Sequence, residues 1–164
     1  MTGESTLLAS IALTATSLSQ SEDTTVEIGE TATWVTTITL PQGTSSSMVY
    51  TDTMPDTSGS LSWVSCTLTA VGADLTLGTA SLNDACSISD QVATMTFGSV
   101  TNGIDGVSDS EDQLQVTMVA VVDNDATQNA DGTSITHRCV RVCVVCDVVC
   151  SVLCVVCCGV MCSV

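Results

Sequence analysis

Lysine is absent from this chain, and its only basic residues, Arg138 and Arg141, face 18 acidic ones, for a formal net charge of −16. Residues 1–137 hold 17 of those acids and neither arginine. A nucleic-acid backbone is held by clustered Lys and Arg, so that class of partner is excluded. Docking on an anionic lipid surface is disfavoured for the same reason. Without Lys there is no Schiff-base chemistry. Phosphate loops, GxSxG and HExxH are also missing, and His137 stands alone, with no Cys or Ser at triad-like spacing. The chain reads as non-enzymatic, with no cofactor demanded by a motif. Aromatic residues number four (Trp34, Tyr50, Trp63 and Phe97), so a core has to be built from Val, Ile, Leu, Met and Ala. With 164 residues, of which 45% are hydrophobic, the chain has length for one ordinary domain and enough apolar side chains to fold it.

What is present is mostly strand text. Ala32, Trp34, Thr36, Ile38 and Leu40 alternate with Thr31, Thr33, Val35, Thr37 and Thr39, a period of two. Pro41-Gln42-Gly43-Thr44 then reads as a turn. A second run, 48–54, ends at Pro55-Asp56. A third, 61–68, puts Trp63 on one face and Val64, Cys66 and Leu68 on the other. In 92–97, Ala93, Met95 and Phe97 share a face, and Val100-Thr101-Asn102-Gly103 reads as a link. Leu114, Val116, Met118, Ala120 and Val122 line one face of the longest strand. Residues 7–18 suit an edge strand, given Thr14, Thr16 and Ser17. Thr and Val favour a pleated, half-buried surface over a helix, and short strands with frequent turns give an all-β sandwich. No signal peptide is evident, since Met1-Thr2-Gly3-Glu4 is acidic where a signal is basic. The expectation is that the chain begins inside a longer protein.

Several motifs carry a resemblance. Thr25-Val26-Glu27-Ile28-Gly29-Glu30-Thr31 is followed by Ile38-Thr39-Leu40-Pro41-Gln42-Gly43-Thr44 and by Thr51-Asp52-Thr53-Met54-Pro55. Further on come Phe97-Gly98-Ser99-Val100-Thr101-Asn102 and Asn129-Ala130-Asp131-Gly132-Thr133-Ser134-Ile135-Thr136. In order and spacing, residues 18–136 resemble the conserved-repeat (DUF11-like, isopeptide-forming fimbrial-type) domains of large extracellular surface proteins. The resemblance implies an immunoglobulin-like β-sandwich strung in tandem in a cell-surface stalk, with neighbouring repeats as partners. Family members that cross-link themselves use a Lys–Asn bond, which a chain without Lys cannot form within itself. The match stops at His137-Arg138, so the last strand of the sandwich is expected to be incomplete or replaced.

Residues 139–164 are a different text, with eight of the ten cysteines and eleven valines. The spacings around Cys143, Cys146, Cys150, Cys154 and Cys157 are like those of thiolate metal sites, but Val-Val spacers lack the turns that bring four sulfurs together. As a membrane span the segment carries Arg141 and Asp147, each costing on the order of +2.5 to +3.5 kcal/mol at the bilayer centre. A span from Val148 onward has only 17 residues. GTG and TGT, the codons of Val and Cys, alternate in a translated GT repeat, and single-base changes from them give nearly all the other tail residues. The tail is therefore read as translated intron or microsatellite sequence behind a true exon, which divides the chain into a β-sandwich domain at 1–138 and a Val/Cys-rich tail at 139–164. Val142 to Val145 are the residues suited to the vacant last-strand position.

Two candidate sites remain in the body. Asp105, Asp109, Glu111 and Asp112 lie close together, as do Asp123, Asn124, Asp125 and Asp131, and dense oxygen ligands suit Ca²⁺. Neither run has EF-hand spacing, and a solvated acidic surface explains both. Cys66 and Cys86 can pair in an oxidising compartment or stand as two small buried residues. The reading is a structural or adhesive repeat from a longer extracellular or cell-surface protein. A Ca²⁺-dependent binding module and a membrane-anchored protein with a C-terminal span are the alternatives.

Overall fold

A computed structural model describes residues 7–17, 27–54 and 61–124, and the backbone of 134–137, 139–146, 151–157 and 160–163. Two antiparallel sheets face each other as an immunoglobulin-like β-sandwich. The first contains β1 (Leu8–Thr16), β2 (Thr31–Thr39), β4 (Leu61–Val71) and β8 (Gln113–Val122), in the order β1-β2-β8-β4. The second contains β3 (Gly43–Thr53), β5 (Leu75–Leu77), β6 (Ser87–Ser89), β7 (Val92–Asn102), β10 (Cys139–Cys146) and β11 (Ser151–Cys157). Its order is β11-β10-β3-β7-β5, with β6 also on β7. A separate pair joins β9 (Ser134–His137) to β12 (Val160–Ser163).

Strand alternation converts directly into the core. Ala32, Trp34, Thr36 and Ile38 of β2 are buried, as are all five even-numbered apolar residues of β8. Across from them lie Met48, Tyr50 and Asp52 of β3 and Ala93, Met95, Phe97 and Val100 of β7. The sheets touch where the Tyr50 hydroxyl of β3 meets Met118 Sδ of β8 at 2.7 Å. The Thr and Gln residues between the buried positions stay half-exposed, so each strand keeps one wet face. Among the described residues β1 pairs with β2 alone and closes the first sheet as an edge.

Register shifts interrupt strict alternation, and those in β4, β7 and β3 change which residues face the core. In β4 the pairing slips between Trp63 and Ser65, which leaves Val64 55% exposed while Cys66 and Leu68 are buried. Val64 therefore does not share their face. An inserted residue rotates everything before it by half a period. In β7 the inward phase moves from Phe97 to Val100 and Asn102 at Gly98, whose φ is +73° and whose missing Cβ makes room for Thr79. Only glycine adopts that backbone without strain. Residues Val100, Thr101 and Asn102 are consequently strand and not link, pairing with Gly43, Thr44 and Ser45 and with β5. The matching slip in β3 lies between Ser45 and Met48, and β3 begins at Gly43, inside the Pro41–Thr44 turn of the sequence reading.

The chain beyond residue 138 continues the sandwich. β10 lies antiparallel to β3, with Val140, Val142 and Val144 opposite the inward-facing Asp52, Tyr50 and Met48. It thus stands in the last-strand position, and the second sheet runs across the boundary drawn at 138. Within the segment considered as a span, 148–164, the described residues 151–157 and 160–163 are strands, the conformation β-branched Val favours. Among the described residues no helix is long and apolar enough to cross a membrane.

Candidate functional site

β8 is ten residues long, so at a rise of about 3.4 Å per residue its ends are roughly 30 Å apart. Asp112 precedes it and Asp123 follows it, so the two acidic runs occupy opposite poles of the sandwich. At the first pole, a 3₁₀ turn at Ser110–Asp112 carries a capping box. Asp109 accepts from Glu111 N at 2.8 Å, and Asp112 Oδ2 accepts from Asp109 N at 3.1 Å. Asp105 Oδ1 accepts from Gln42 Nε2 at 2.6 Å and from Val107 N at 2.9 Å. Asp105, Asp109 and Asp112 thus each use one oxygen to close their own loops, while the other oxygen of Asp112, Oδ1, is buried without a hydrogen-bond partner among the described residues. Asp109, Glu111 and Asp105 are exposed, and Asp112 is buried. At the far pole Asp123 Oδ2 accepts from Ser62 Oγ at 2.6 Å, and Asp125 lies outside the described residues. No three carboxylate, Cys or His side chains among the described residues come together as a metal-binding group.

Cys66 and Cys86 are joined by a disulfide, with Cα atoms 5.2 Å apart. Cys66 sits in the core on β4, and Cys86 N also donates to Cys66 O at 2.9 Å. The bond fastens an edge strand of the first sheet to the segment that enters β6 of the second. Beside it runs a groove of about 360 Å³ lined by Thr79, Asp84, Ser87, Thr94 and Thr96. Its carboxylate, Asp84, accepts from Ser81 N at 2.7 Å and so serves its own turn.

Sequence reasoning passed over the polar groups that matter most inside the fold. Asp52 is fully buried, and the Tyr50 hydroxyl donates to its Oδ2 at 3.1 Å. Thr36 Oγ1 of β2 lies 3.4 Å from the same hydroxyl, so the network bridges the sheets. Desolvation by burial, then the neighbouring Asp52, holds the Tyr50 phenol well above its ordinary value. Glu30 is 2% exposed; its Oε2 accepts from Glu27 N at 2.9 Å, and its backbone carbonyl accepts from Val122 N. Asn102, also buried, donates from Nδ2 to Leu40 O at 2.9 Å. The signal was available, since Glu30, Asp52 and Asn102 all fall within the motifs that carry the family resemblance. The geometry shows what such motifs accomplish here: they latch turns and tie one sheet to the other. None of them pairs a nucleophile with a base at an open surface.

No protein-family model matches the chain, and no curated protein matches it. Among solved structures it is similar to the full-length major pilin SpaD from Corynebacterium diphtheriae, with a TM-score of 0.52 and 11% identity. That match covers 94% of this chain and 35% of the pilin, so the chain spans about a third of its length. A DUF4466 family protein from Parabacteroides merdae matches at a TM-score of 0.41, with 10% identity over 96% of this chain and 45% of that one. A family 123 glycoside hydrolase from Clostridium perfringens matches at 0.36, with 12% identity over 97% and 27%.

Proposed function

We propose that this chain is a non-enzymatic structural or adhesive β-sandwich module of a longer extracellular or cell-surface protein, one of several neighbouring repeats in a stalk. The observation that carries the reading is the sandwich shared with a pilin over nearly the whole of this chain but only about a third of the pilin, which is the proportion expected of one module in a larger shaft. The polar residues of the resemblance motifs support it, because they brace the sandwich instead of lining a cleft. On this reading the chain is a conserved-repeat domain without the cross-linking Lys, and the Cys66–Cys86 bond fits the oxidising surroundings of a surface protein. Exposed acids keep the module soluble and its neighbours apart.

Protease shaving of intact source cells tests the location. The module should be cleaved from, and antibody-labelled on, unpermeabilised cells; labelling only after permeabilisation refutes the proposal. Ca²⁺ dependence is tested separately by thermal melts, since a cation bound only to the folded state raises stability with its concentration. The hydrogen bonds already made by Asp105, Asp109 and Asp112 lead us to expect a melt that millimolar Ca²⁺ leaves unchanged.

A further inference from the structure

We propose that Cys143 and Cys154 form a disulfide across β10 and β11, where the antiparallel register sets them directly opposite each other. Opposed residues of an antiparallel pair have Cα atoms about 4.5–5.5 Å apart, inside the roughly 4.4–6.8 Å that a disulfide spans. The register is selective. Cys139 is opposite Thr53, Cys146 is opposite Ser45 and Ser151, Cys157 is opposite Val140, and Cys162 of β12 is opposite Ile135. Among the described residues of these strands, 143 and 154 are the one position where cysteine meets cysteine.

The face is also suitable. Cys143 is opposite Val49 of β3, a half-buried residue between the fully buried Met48 and Tyr50. Opposed residues share a face, so Cys143 and Cys154 occupy the outer face of the sheet, while Val140, Val142 and Val144 occupy the face of the core. With oxidised glutathione, one protein thiolate attacks the glutathione disulfide, breaking its S–S bond and releasing one reduced glutathione. The second thiolate then displaces the other glutathione as the new S–S bond forms. Two thiols and one glutathione disulfide thus give one protein disulfide and two glutathione thiols, which carry the two protons. The product clamps β11, the outermost strand, to β10. This inference is independent of the cell-surface reading, because its test supplies its own oxidant.

The test uses the full 164-residue chain in two variants, both with Cys139, Cys146, Cys150, Cys158 and Cys162 changed to Ser. The first adds Cys157→Ser and keeps 143 with 154; the second adds Cys154→Ser and keeps 143 with 157. Each is equilibrated in glutathione buffers of graded ratio, alkylated, and read by intact mass, with the Cys66–Cys86 link and tryptophan emission as checks on the fold. Loop closure depends so weakly on length that chain entropy alone separates the two pairs by less than about twofold. The register predicts that the 143–154 pair closes at an oxidised-to-reduced ratio at least about tenfold lower. Equal midpoints, a reversed order or mixed glutathione adducts alone overturn the proposal. Should the Ser changes disturb the hairpin, the unmodified chain serves, cut after Arg141 and before Asp147. Fragment spectra dominated by the 143–154 linkage support the proposal, and Cys143 spread over several partners refutes it.

Discussion

Replacing Trp34 with Ala is the sharpest test of the two-sheet packing. Trp34 is 1% exposed at the middle of β2, opposite Met118 of β8. A buried tryptophan removes about 200 Å² from water, which at about 25 cal/mol per Å² is about 5 kcal/mol. A compact denatured chain lowers that to roughly 3–4 kcal/mol, and the cavity left by partial relaxation raises it again, so the expected loss is about 3–5 kcal/mol. That is a large part of an ordinary domain's stability of about 5–15 kcal/mol. For a chain of this size the melting temperature should fall by on the order of 10–15 °C. Urea unfolding followed by circular dichroism gives the same quantity as a lowered midpoint at unchanged slope. Trp63, which is only partly buried and donates from Nε1 to Gln91 O at 3.0 Å, is the control, and Trp63→Phe should cost about 1 kcal/mol. A Trp34→Ala protein losing less than about 1 kcal/mol would refute the placement of this side chain between the sheets.

Changing both Cys66 and Cys86 to Ala should cost about 3 kcal/mol, the closure entropy of a loop of about 20 residues; a melt unmoved by the substitution or by reductant would contradict the brace. Tyr50 is the sole tyrosine, so near-ultraviolet absorbance of tyrosinate reports on it alone. Its folded value is raised, so the folded state holds its proton while the unfolded chain loses it near pH 10. Stability contributed by Tyr50 is thus intact below about pH 10 and falls as the pH rises beyond it. Tyr50→Phe should lack that fall, and a folded protein ionising near pH 10 would refute the buried network. Val64→Thr should shift stability by no more than about 0.5 kcal/mol, while the same change at Val116 should cost well over 1 kcal/mol; equal losses would place Val64 back in the core. A chain ending at Arg138 loses β10 and bares the edge of β3, so we expect it to be only marginally stable. A truncation as stable as the full chain would show that β10 adds nothing to the sheet.

The strands with unbroken alternation were legible because a period of two needs no context. β2 and β8 pair residue for residue, Thr31 with Val121 through Thr39 with Gln113, and every inward position was apolar except Thr36. What defeated the reading was the bulge. Val64 and Gly98 each shift the phase by one residue, and nothing in an apolar or polar label tells an inserted residue from a paired one. The three-residue strands β5 and β6 were too short to show any period. They exist because the neighbouring edge of β7 offers them backbone partners, which is a tertiary cause.

The polar sites were legible only as residue types. Asp52 alternates with Tyr50 and Met48 on the inward face of β3, so its burial follows from the strand's own phase, but the hydrogen bond it accepts from Tyr50 belongs to a network that reaches Thr36 on the other sheet, 14 positions before Tyr50. The acids that looked most like ligands, Asp105, Asp109 and Asp112, are accounted for by capping and turn closure, a role carboxylates fill wherever loops expose backbone N–H groups. The tail shows the opposite balance. Its Val and Cys residues are apolar at both odd and even positions and so set no register by themselves, yet β3 presents alternating buried and half-exposed positions at 48–52, and a strand laid beside it meets that alternation. The register sets Val140, Val142 and Val144 opposite Asp52, Tyr50 and Met48, and Arg141 and Cys143 opposite Thr51 and Val49, and a slip of one residue would exchange the two sets. The template thus selects what the added strand by itself leaves open.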